Sequence, residues 1–158
     1  TIRKYDKRDN LIEETFIEAS GSIEMITKVF KRFDNKNKII EYLTYSDDSS
    51  LFIRIEYKYD TVGNLLREEQ FGPMGDSQIA FVNQYNSQGQ KTETIEYAEG
   101  KQIKLTRYDY DISGREVGSK EYNTDGVLVF EVDIKGGDKP VANKYANCAD
   151  LSKIDRRA

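Results

Sequence analysis

A five-residue motif recurs six times along the chain, and this internal repeat limits the possible folds more than any other feature. Each copy begins with Tyr or Phe, continues with Asp or Asn, and has Gly, Asn or Asp at its fifth position. The copies are Tyr5–Asp9, Phe33–Asn37, Tyr59–Gly63, Tyr85–Gly89, Tyr110–Gly114 and Tyr122–Gly126. Their starting positions differ by 28, 26, 26, 25 and 12 residues. A unit of about 26 residues has room for two strands and two turns.

Each position of the motif has a role in a β-hairpin turn. The Asp or Asn at the second position accepts hydrogen bonds from backbone N–H groups further along, which nucleates the reversal. The fifth position must enter the left-handed region, which Gly, Asn and Asp tolerate. We therefore expect positive φ at Gly63, Gly89 and Gly114. The predicted structural turn residues are Asp60, Gly63, Gly89, Asp111, Gly114 and Gly126.

The segments between the turns alternate as half-buried β-strands do. In Leu51–Tyr59, Leu, Ile and Tyr occupy one face, whereas Phe, Arg, Glu and Lys occupy the other. About ten such strands, with no helical layer to cover them, predict an all-β fold up to about residue 135. We expect an antiparallel up-and-down meander of double-hairpin repeats, forming an open or curled sheet. A closed barrel is the alternative, and the apolar fraction of only 37% favours the open form.

Residues 136–158 depart from the repeat. Asp138 followed by Pro140 is a plausible helix start. Apolar or thiol side chains then recur every three or four residues, at Val141, Tyr145, Cys148, Leu151 and Ile154. This spacing predicts a short C-terminal capping helix. The chain is therefore expected to divide into a repeat domain, 1–135, and a C-terminal cap and tail, 136–158.

Two stretches carry a resemblance to a known family. The pattern Tyr-x-Tyr-Asp-x-x-Gly, in Tyr57–Leu65 and again in Tyr108–Glu116, resembles the YD repeat of the rearrangement-hotspot (Rhs) family. MORN-like hairpin repeats are a second resemblance. The YD-repeat resemblance implies a secreted, periplasmic or cell-surface bacterial β-scaffold, and it supplies no catalytic residue.

The composition argues against several classes of function. The chain has no His and a single Cys, so Ser-His-Asp and Cys-His catalysis and His-ligated zinc sites are excluded. The net charge is 24 − 28 = −4, which argues against nucleic-acid binding. No apolar run is long enough to span a membrane. The calcium-loop-like segment that starts at Asp109 has Lys120 where a bidentate acid is needed. No metal or cofactor is expected.

Tyrosine is the residue type most suggestive of binding, with 11 in the chain. Rows of Tyr on a sheet can bind sugars or peptides, although they also form structural cross-strand ladders. The candidate binding residues are Tyr57, Tyr59, Tyr85, Tyr108 and Tyr110.

We expect a non-enzymatic scaffold or interaction module with a protein or carbohydrate partner. A carbohydrate- or peptide-binding domain and an acidic immunity-type protein are the alternatives. A carboxylate-pair hydrolase is a more distant one, because neighbouring acids such as Glu13 and Glu14 point to opposite faces of a strand. The chain opens at Thr1 without an initiator Met, so we expect a trimmed chain, a processed form or a piece of a longer protein.

Overall fold

The computed structural model describes residues 1–17, 26–46, 50–134 and 141–143. Eleven strands and a three-residue twelfth form an open antiparallel sheet in which each strand is hydrogen-bonded to the next along the chain. Within these ranges there is no helix. The strands are β1 (Ile2–Tyr5), β2 (Leu11–Ile17), β3 (Ile26–Phe33), β4 (Ile39–Tyr45), β5 (Leu51–Tyr59), β6 (Leu65–Phe71), β7 (Ser77–Tyr85), β8 (Lys91–Ala98), β9 (Lys101–Tyr110), β10 (Glu116–Tyr122), β11 (Leu128–Asp133) and β12 (Val141–Asn143). The predicted all-β up-and-down meander is confirmed.

The contacts within the chain divide it into two compact units, and each is described by itself. The first comprises Thr1–Val82 and Tyr97–Lys101, and the second comprises Asn83–Glu96 and Gln102–Ala158. The domain boundary expected near residue 135 stays a prediction, because residues 135–140 lie outside the described ranges.

The strand register of the first unit sorts its side chains onto two faces. The tyrosine face, as we call it, carries the cross-strand rows Val29–Thr44–Ile53 and Tyr42–Ile55–Gln70–Ile79. The opposite, charged face carries the rows Phe30–Leu43–Arg54–Phe71 and Glu41–Glu56–Glu69. The alternation predicted for β5 is thereby confirmed.

Very few side chains are fully buried. Among the side chains that the structure describes, the buried hydrophobic ones are Val29 and Ala80, and the buried polar ones are Asn83 and Thr106. Most strand residues are half-exposed instead. The sheet therefore depends on its hydrogen-bonded ladder and on side-chain pairs between neighbouring strands, each contributing roughly 0.2–1 kcal/mol.

All six copies of the motif form the same turn. The second residue's N–H donates to the carbonyl of the sixth, and the fifth residue's N–H donates back to the second, at 2.9–3.3 Å. The side-chain Oδ1 of the second residue accepts from the N–H groups of the fourth and sixth residues at 2.7–3.1 Å. The predicted roles of Asp60, Asp111 and the closing glycines are therefore confirmed.

A seventh turn of the same backbone geometry follows Phe71. Gly72 N–H donates to Asp76 O, and Gly75 N–H donates to Gly72 O, both at 3.0 Å. Gly75 has φ of +83°, like the fifth residue of the other turns. The sequence pattern missed this copy because Gly72 stands where the others have Asp or Asn.

The second unit contains the hairpins of β9, β10 and β11. Its rows include Tyr108–Ser119–Val132 on one face and Arg107–Lys120–Glu131 on the other. A bulge in β10 brings Gly118 against β11, where a Cβ would lie 2.5 Å from the carbonyl oxygen of Val132. Glycine is required here by close backbone approach rather than by its φ angle.

The start of the predicted capping helix is wrong. Val141–Asn143 forms β12, which pairs antiparallel with β11. The outer backbone groups of β11 would otherwise lack partners, and a paired strand satisfies them whereas a helix would not. The rest of the predicted helix, with Tyr145, Cys148, Leu151 and Ile154, lies outside the described residues.

Candidate binding surface

The five candidate tyrosines fall into two groups. Tyr57 and Tyr59 end β5 in the first unit, on the same face of the strand. Tyr85, Tyr108 and Tyr110 belong to the second unit, where burial raises the pKa of Tyr110 and the charges of Glu116, Tyr108 and Tyr85 add to the effect. Each group is therefore a local cluster on one unit.

Two of these tyrosines have a structural task. The hydroxyl of Tyr59 donates to Ile39 O at 3.0 Å, and that of Tyr110 donates to Lys91 O at 2.9 Å. Both tyrosines hold the first motif position. Both accepting carbonyls belong to the residue two positions beyond the end of the preceding motif copy. Burial raises the pKa of Tyr59 and of Tyr110, so both hydroxyls remain protonated donors well above neutral pH. They tie successive repeats together.

A second tether runs in the opposite direction, at the sixth motif position. Lys38 Nζ donates to Gly63 O at 2.8 Å, and Gln90 Nε2 donates to Gly114 O at 3.0 Å. Lys38 Nζ also lies 5.1 Å from the centroid of the Tyr59 ring, within cation–π range. Each of these hydrogen bonds joins one motif turn to the next motif turn at the same end of the strands.

Tyr57 differs from Tyr59 in having a hydroxyl that makes no hydrogen bond among the described residues. Burial raises the pKa of Tyr57, and the charge of Glu68 adds to the effect. The ring lines a depression of about 250 Å³ between two successive turns, together with Lys36, Lys38 and Tyr59. Tyr57 is therefore the candidate residue whose polar atom is available to a ligand.

The charged face places three carboxylates in one cross-strand row, Glu41–Glu56–Glu69. Like charges directly opposite one another destabilise a sheet, and each acid here has an arginine beside it. The pairs are Arg32–Glu41 at 3.5 Å, Arg54–Glu56 at 3.3 Å and Arg67–Glu69 at 2.8 Å.

The charges in this row also bear on acid catalysis. The hydrogen bond from Arg67 lowers the pKa of Glu69. A carboxyl group that acts as a general acid at neutral pH needs a raised pKa instead.

Sequence reasoning missed an apolar groove on the charged face. Phe30 and Leu43 are cross-strand partners and line two adjoining depressions of about 390 and 330 Å³. Tyr45 packs edge-on against Phe30, with ring centroids 5.5 Å apart. These residues come from different strands, so only the strand register could have revealed the groove.

The described part of the chain lacks two features, a cluster of metal-ligating side chains and a membrane-spanning helix. No group of three or more Asp, Glu or Cys side chains there is arranged to hold a metal ion. No helix in those ranges is long and apolar enough to cross a membrane.

Comparison with known proteins yields no family. No family model matches the chain, and no curated protein matches it in sequence. One similar solved structure is described as the crystal structure of TcdB2-TccC3-TEV. It is 8% identical, with a TM-score of 0.28, and the match covers 87% of this chain. The chain spans 13% of that longer chain's length.

Proposed function

We propose that this chain is a non-enzymatic β-hairpin scaffold of the YD-repeat type, which acts as an interaction module. The repeated tether carries this proposal: Tyr59 and Tyr110 reach back to one repeat while Lys38 and Gln90 reach forward to the next. Side chains at equivalent positions thus hold hairpins to one another. A secreted, periplasmic or cell-surface setting in a bacterium is part of the proposal and is inferred from the YD-repeat resemblance.

The charge arrangement supports the same proposal. Ion pairs join neighbouring strands, for example Arg3–Glu14 at 2.7 Å and Arg107–Glu93 at 2.9 Å. Their side chains are partly exposed, so they keep a broad sheet surface soluble while adding little stability. Such a surface suits the presentation of contacts to a partner.

Excision of one repeat tests the scaffold proposal. Deleting residues 34–59 joins Phe33 to Asp60 and removes 60 − 34 = 26 residues. The strands that follow therefore keep their direction, and the motif turns stay at the same end of the strands. We expect the shortened chain to retain a β-sheet circular dichroism spectrum and cooperative urea unfolding, because repeat proteins depend on nearest-neighbour contacts.

The matched control deletes residues 34–46, which removes one strand and reverses the direction of every strand that follows. We expect this control to unfold at a lower urea concentration than the 26-residue deletion. Loss of folding in the 26-residue deletion, or equal stability of both deletions, would contradict the repeat-scaffold proposal.

The depression beside Tyr57 favours a second candidate, a carbohydrate- or peptide-binding domain. An aromatic ring with an available hydroxyl, beside the ammonium groups of Lys36 and Lys38, suits a small polar ligand. Isothermal calorimetry with panels of glycans and short peptides tests it. Saturable binding that Tyr57→Phe weakens and Tyr42→Phe leaves unchanged would support this candidate, whereas absence of any saturable heat would favour the scaffold.

A further inference from the structure

The depression between the second and third motif turns has hydrogen-bond donors that the described residues do not use. Lys36 Nζ donates to Thr61 O at 2.8 Å. Lys38 Nζ donates to Gly63 O, in the same turn, at 2.8 Å. An ammonium group has three N–H donors, so each lysine is anchored by one of them and keeps others for a ligand. The Tyr57 hydroxyl, which makes no hydrogen bond among the described residues, adds a further donor to the lining.

The two carboxylates that line the depression are engaged by their own turns. Asp60 Oδ1 accepts three backbone N–H groups at 2.6–3.0 Å. Asp34 Oδ1 accepts the N–H groups of Lys36 and Lys38, both at 2.8 Å. Backbone donors thus satisfy one oxygen of each acid, whereas each ammonium group keeps donors that no described acceptor fills. The depression therefore favours an anionic group with several acceptor oxygens.

The second unit shows that the turn itself does not need lysine. Lys36 and Lys38 hold the fourth and sixth positions of the second motif copy. The fourth copy has Gln88 and Gln90 at those positions. Gln90 Nε2 forms the same tether, to Gly114 O at 3.0 Å. A neutral amide therefore supplies the structural contact, and the two positive charges are additional to it.

The tyrosine differs between the units in the same sense. Tyr108 stands two residues before its motif copy, as Tyr57 does. Its hydroxyl lies 3.3 Å from Thr94 Oγ1, and Lys91 Nζ lies 4.8 Å from the centroid of its ring. Neighbours thus contact both the hydroxyl and the ring of Tyr108, whereas the Tyr57 hydroxyl has no partner among the described residues. Of these two equivalent sites, the one in the first unit is open to a ligand.

Other features of the lining indicate what carries the anionic group. The amide of Asn35 makes no hydrogen bond among the described residues, and its oxygen and nitrogen match the N–H and C=O of a peptide group. Ile40 adds apolar surface for a side chain. Lys38 Nζ lies over the Tyr59 ring, 5.1 Å from its centroid, and takes a face on which a sugar would stack. The volume of about 250 Å³ is below the roughly 300–1,000 Å³ of sites for drug-sized ligands, so it suits the end of a chain.

We infer that this depression binds the C-terminal carboxylate of a partner polypeptide. The carboxylate accepts hydrogen bonds from the ammonium groups of Lys36 and Lys38 and from the Tyr57 hydroxyl. The last peptide group pairs with the Asn35 amide, and the terminal side chain packs against Ile40. This inference rests on the second candidate function, a peptide-binding domain, and names the part of the peptide that is recognised.

A pair of peptides that differ only in the terminal group tests the inference. The probe is acetyl-Gly-Ser-Ala-Leu with a free carboxylate, and the matched control is the same peptide with a C-terminal amide. Each is titrated into the isotope-labelled full chain while the backbone amide chemical shifts are followed. We expect saturable shifts at residues 34–40 and 57–63 with the free carboxylate, and at least about tenfold weaker binding of the amide.

Variants of the chain separate the ligand contacts from the tether. Lys36→Gln with Lys38→Gln reproduces the glutamines of the second unit, so we expect it to keep the urea midpoint and weaken binding of the free carboxylate about tenfold. Lys101→Gln, the matched control, should leave binding unchanged. Tyr57→Phe should weaken binding about threefold through loss of one hydrogen bond, whereas Tyr42→Phe should have no effect.

Shifts that map elsewhere, or unchanged affinity in the double glutamine variant, would overturn the inference. Tighter binding of galacturonic acid than of the probe at the same residues would also overturn it, because a sugar acid would then be the occupant. Equal binding of the two peptides would overturn the inference and leave the peptide-binding candidate standing, whereas no saturation by either would remove both. The repeat-scaffold proposal is tested separately, by excision of residues 34–59.

Discussion

At the residue scale, the fifth motif position is a left-handed backbone site in every copy. The φ angles are +60° at Asp9, +63° at Asn37, +102° at Gly63, +79° at Gly89, +84° at Gly114 and +75° at Gly126. Positive φ had been expected at the glycines, and it is confirmed. The non-glycine copies show that Asp and Asn are tolerated at the same position.

Gly89 is the cleanest site for measuring the cost of this conformation, because a Cβ there meets nothing within 4 Å. We expect Gly89→Val to destabilise the chain by about 1–3 kcal/mol, since a β-branched residue resists positive φ. Ser87→Val, inside the same turn, should cost under about 1 kcal/mol. Urea midpoints measure both. Gly63→Val should cost more than Gly89→Val, because a Cβ at Gly63 would lie 2.9 Å from Lys38 Cε.

Closely similar costs for Gly89→Val and Ser87→Val would refute the hairpin register. Asn37→Gly offers a further check. Glycine adopts the positive φ without the strain that Asn bears there, but the substitution removes the 3.2 Å hydrogen bond from Asn10 Nδ2. We therefore expect a change in the free energy of unfolding close to zero.

The turn aspartates connect stability to pH. A hydrogen bond from the Ser113 hydroxyl, helped by the N–H of Arg115, lowers the pKa of Asp111 to about 2 from 3.8. Folding thus favours the ionised form of Asp111. The contribution of this carboxylate to the free energy of unfolding is therefore present above about pH 4 and is lost as the pH falls through about 2.

Asp111→Asn keeps the acceptor oxygen, as Asn86 and Asn123 do in their own turns. We expect the stability difference between the wild type and this variant to shrink as the pH is lowered from 5 to 2. Urea unfolding across that range measures it, and an NMR titration gives the pKa of Asp111 directly. A difference independent of pH, or a pKa near 3.8, would contradict the assignment.

At the scale of the elements, the hairpins are held together by tethers that recur with the repeat. The Tyr59 hydroxyl at the end of β5 donates back to the preceding hairpin, at Ile39 O. Lys38 of that hairpin donates forward to the turn that follows β5, at Gly63 O. Because neighbouring strands bury so few side chains, these contacts form a larger share of the interface than they would in a packed core.

Tyr59→Phe should therefore cost about 0.5–1.5 kcal/mol through loss of the hydrogen bond to Ile39 O. Tyr57→Phe is its matched control on the same strand, because the Tyr57 hydroxyl makes no hydrogen bond among the described residues. We expect a change near zero for this control. Equal urea midpoints for the two variants would show that the Tyr59 tether adds nothing to stability.

The bulge in β10 provides another test at this scale. We expect Gly118→Ala to destabilise the hairpin of β10 and β11 by more than about 1 kcal/mol, because its Cβ would meet the Val132 carbonyl at 2.5 Å. Gly126→Ala is a control of a different kind. Its Cβ would meet no atom within 4 Å, but the alanine would have to adopt a φ of +75°. Hydrogen exchange of the β10 and β11 amides should speed up more in Gly118→Ala. Equal rates in the two variants would contradict the close approach.

At the scale of the whole molecule, the scarcity of buried apolar side chains has a thermodynamic consequence. The heat capacity change of unfolding grows with the apolar surface that unfolding exposes. We expect a value below the usual globular range of about 12–15 cal/mol/K per residue. Differential scanning calorimetry measures it from the baselines before and after the transition. A value inside the globular range would show that the chain buries far more apolar surface than the described residues do.

Much of the fold could be predicted from the sequence because hairpin turns are local. The motif specifies its own hydrogen bonds within six residues, so the turns at Asp60 and Asp111 needed no tertiary information. Alternation in β5 likewise predicted its two faces. The turn at Gly72 was not recognised as a copy of the motif, because backbone geometry alone forms it, without the side-chain acceptor that marks the other copies.

Residues close together in the chain suffice to predict the repeat, the turn chemistry and the antiparallel meander. Which side chains face one another became known only from the pairing of the strands. The pairing joined Tyr59 to Ile39 and left the Tyr57 hydroxyl available. It also assembled the groove of Phe30 and Leu43, and made a strand of Val141–Asn143 where a helix had been predicted. The physical reason is register: pairings between strands far apart in sequence depend on which strand edges meet, and a single-residue shift would move every side chain to the other face.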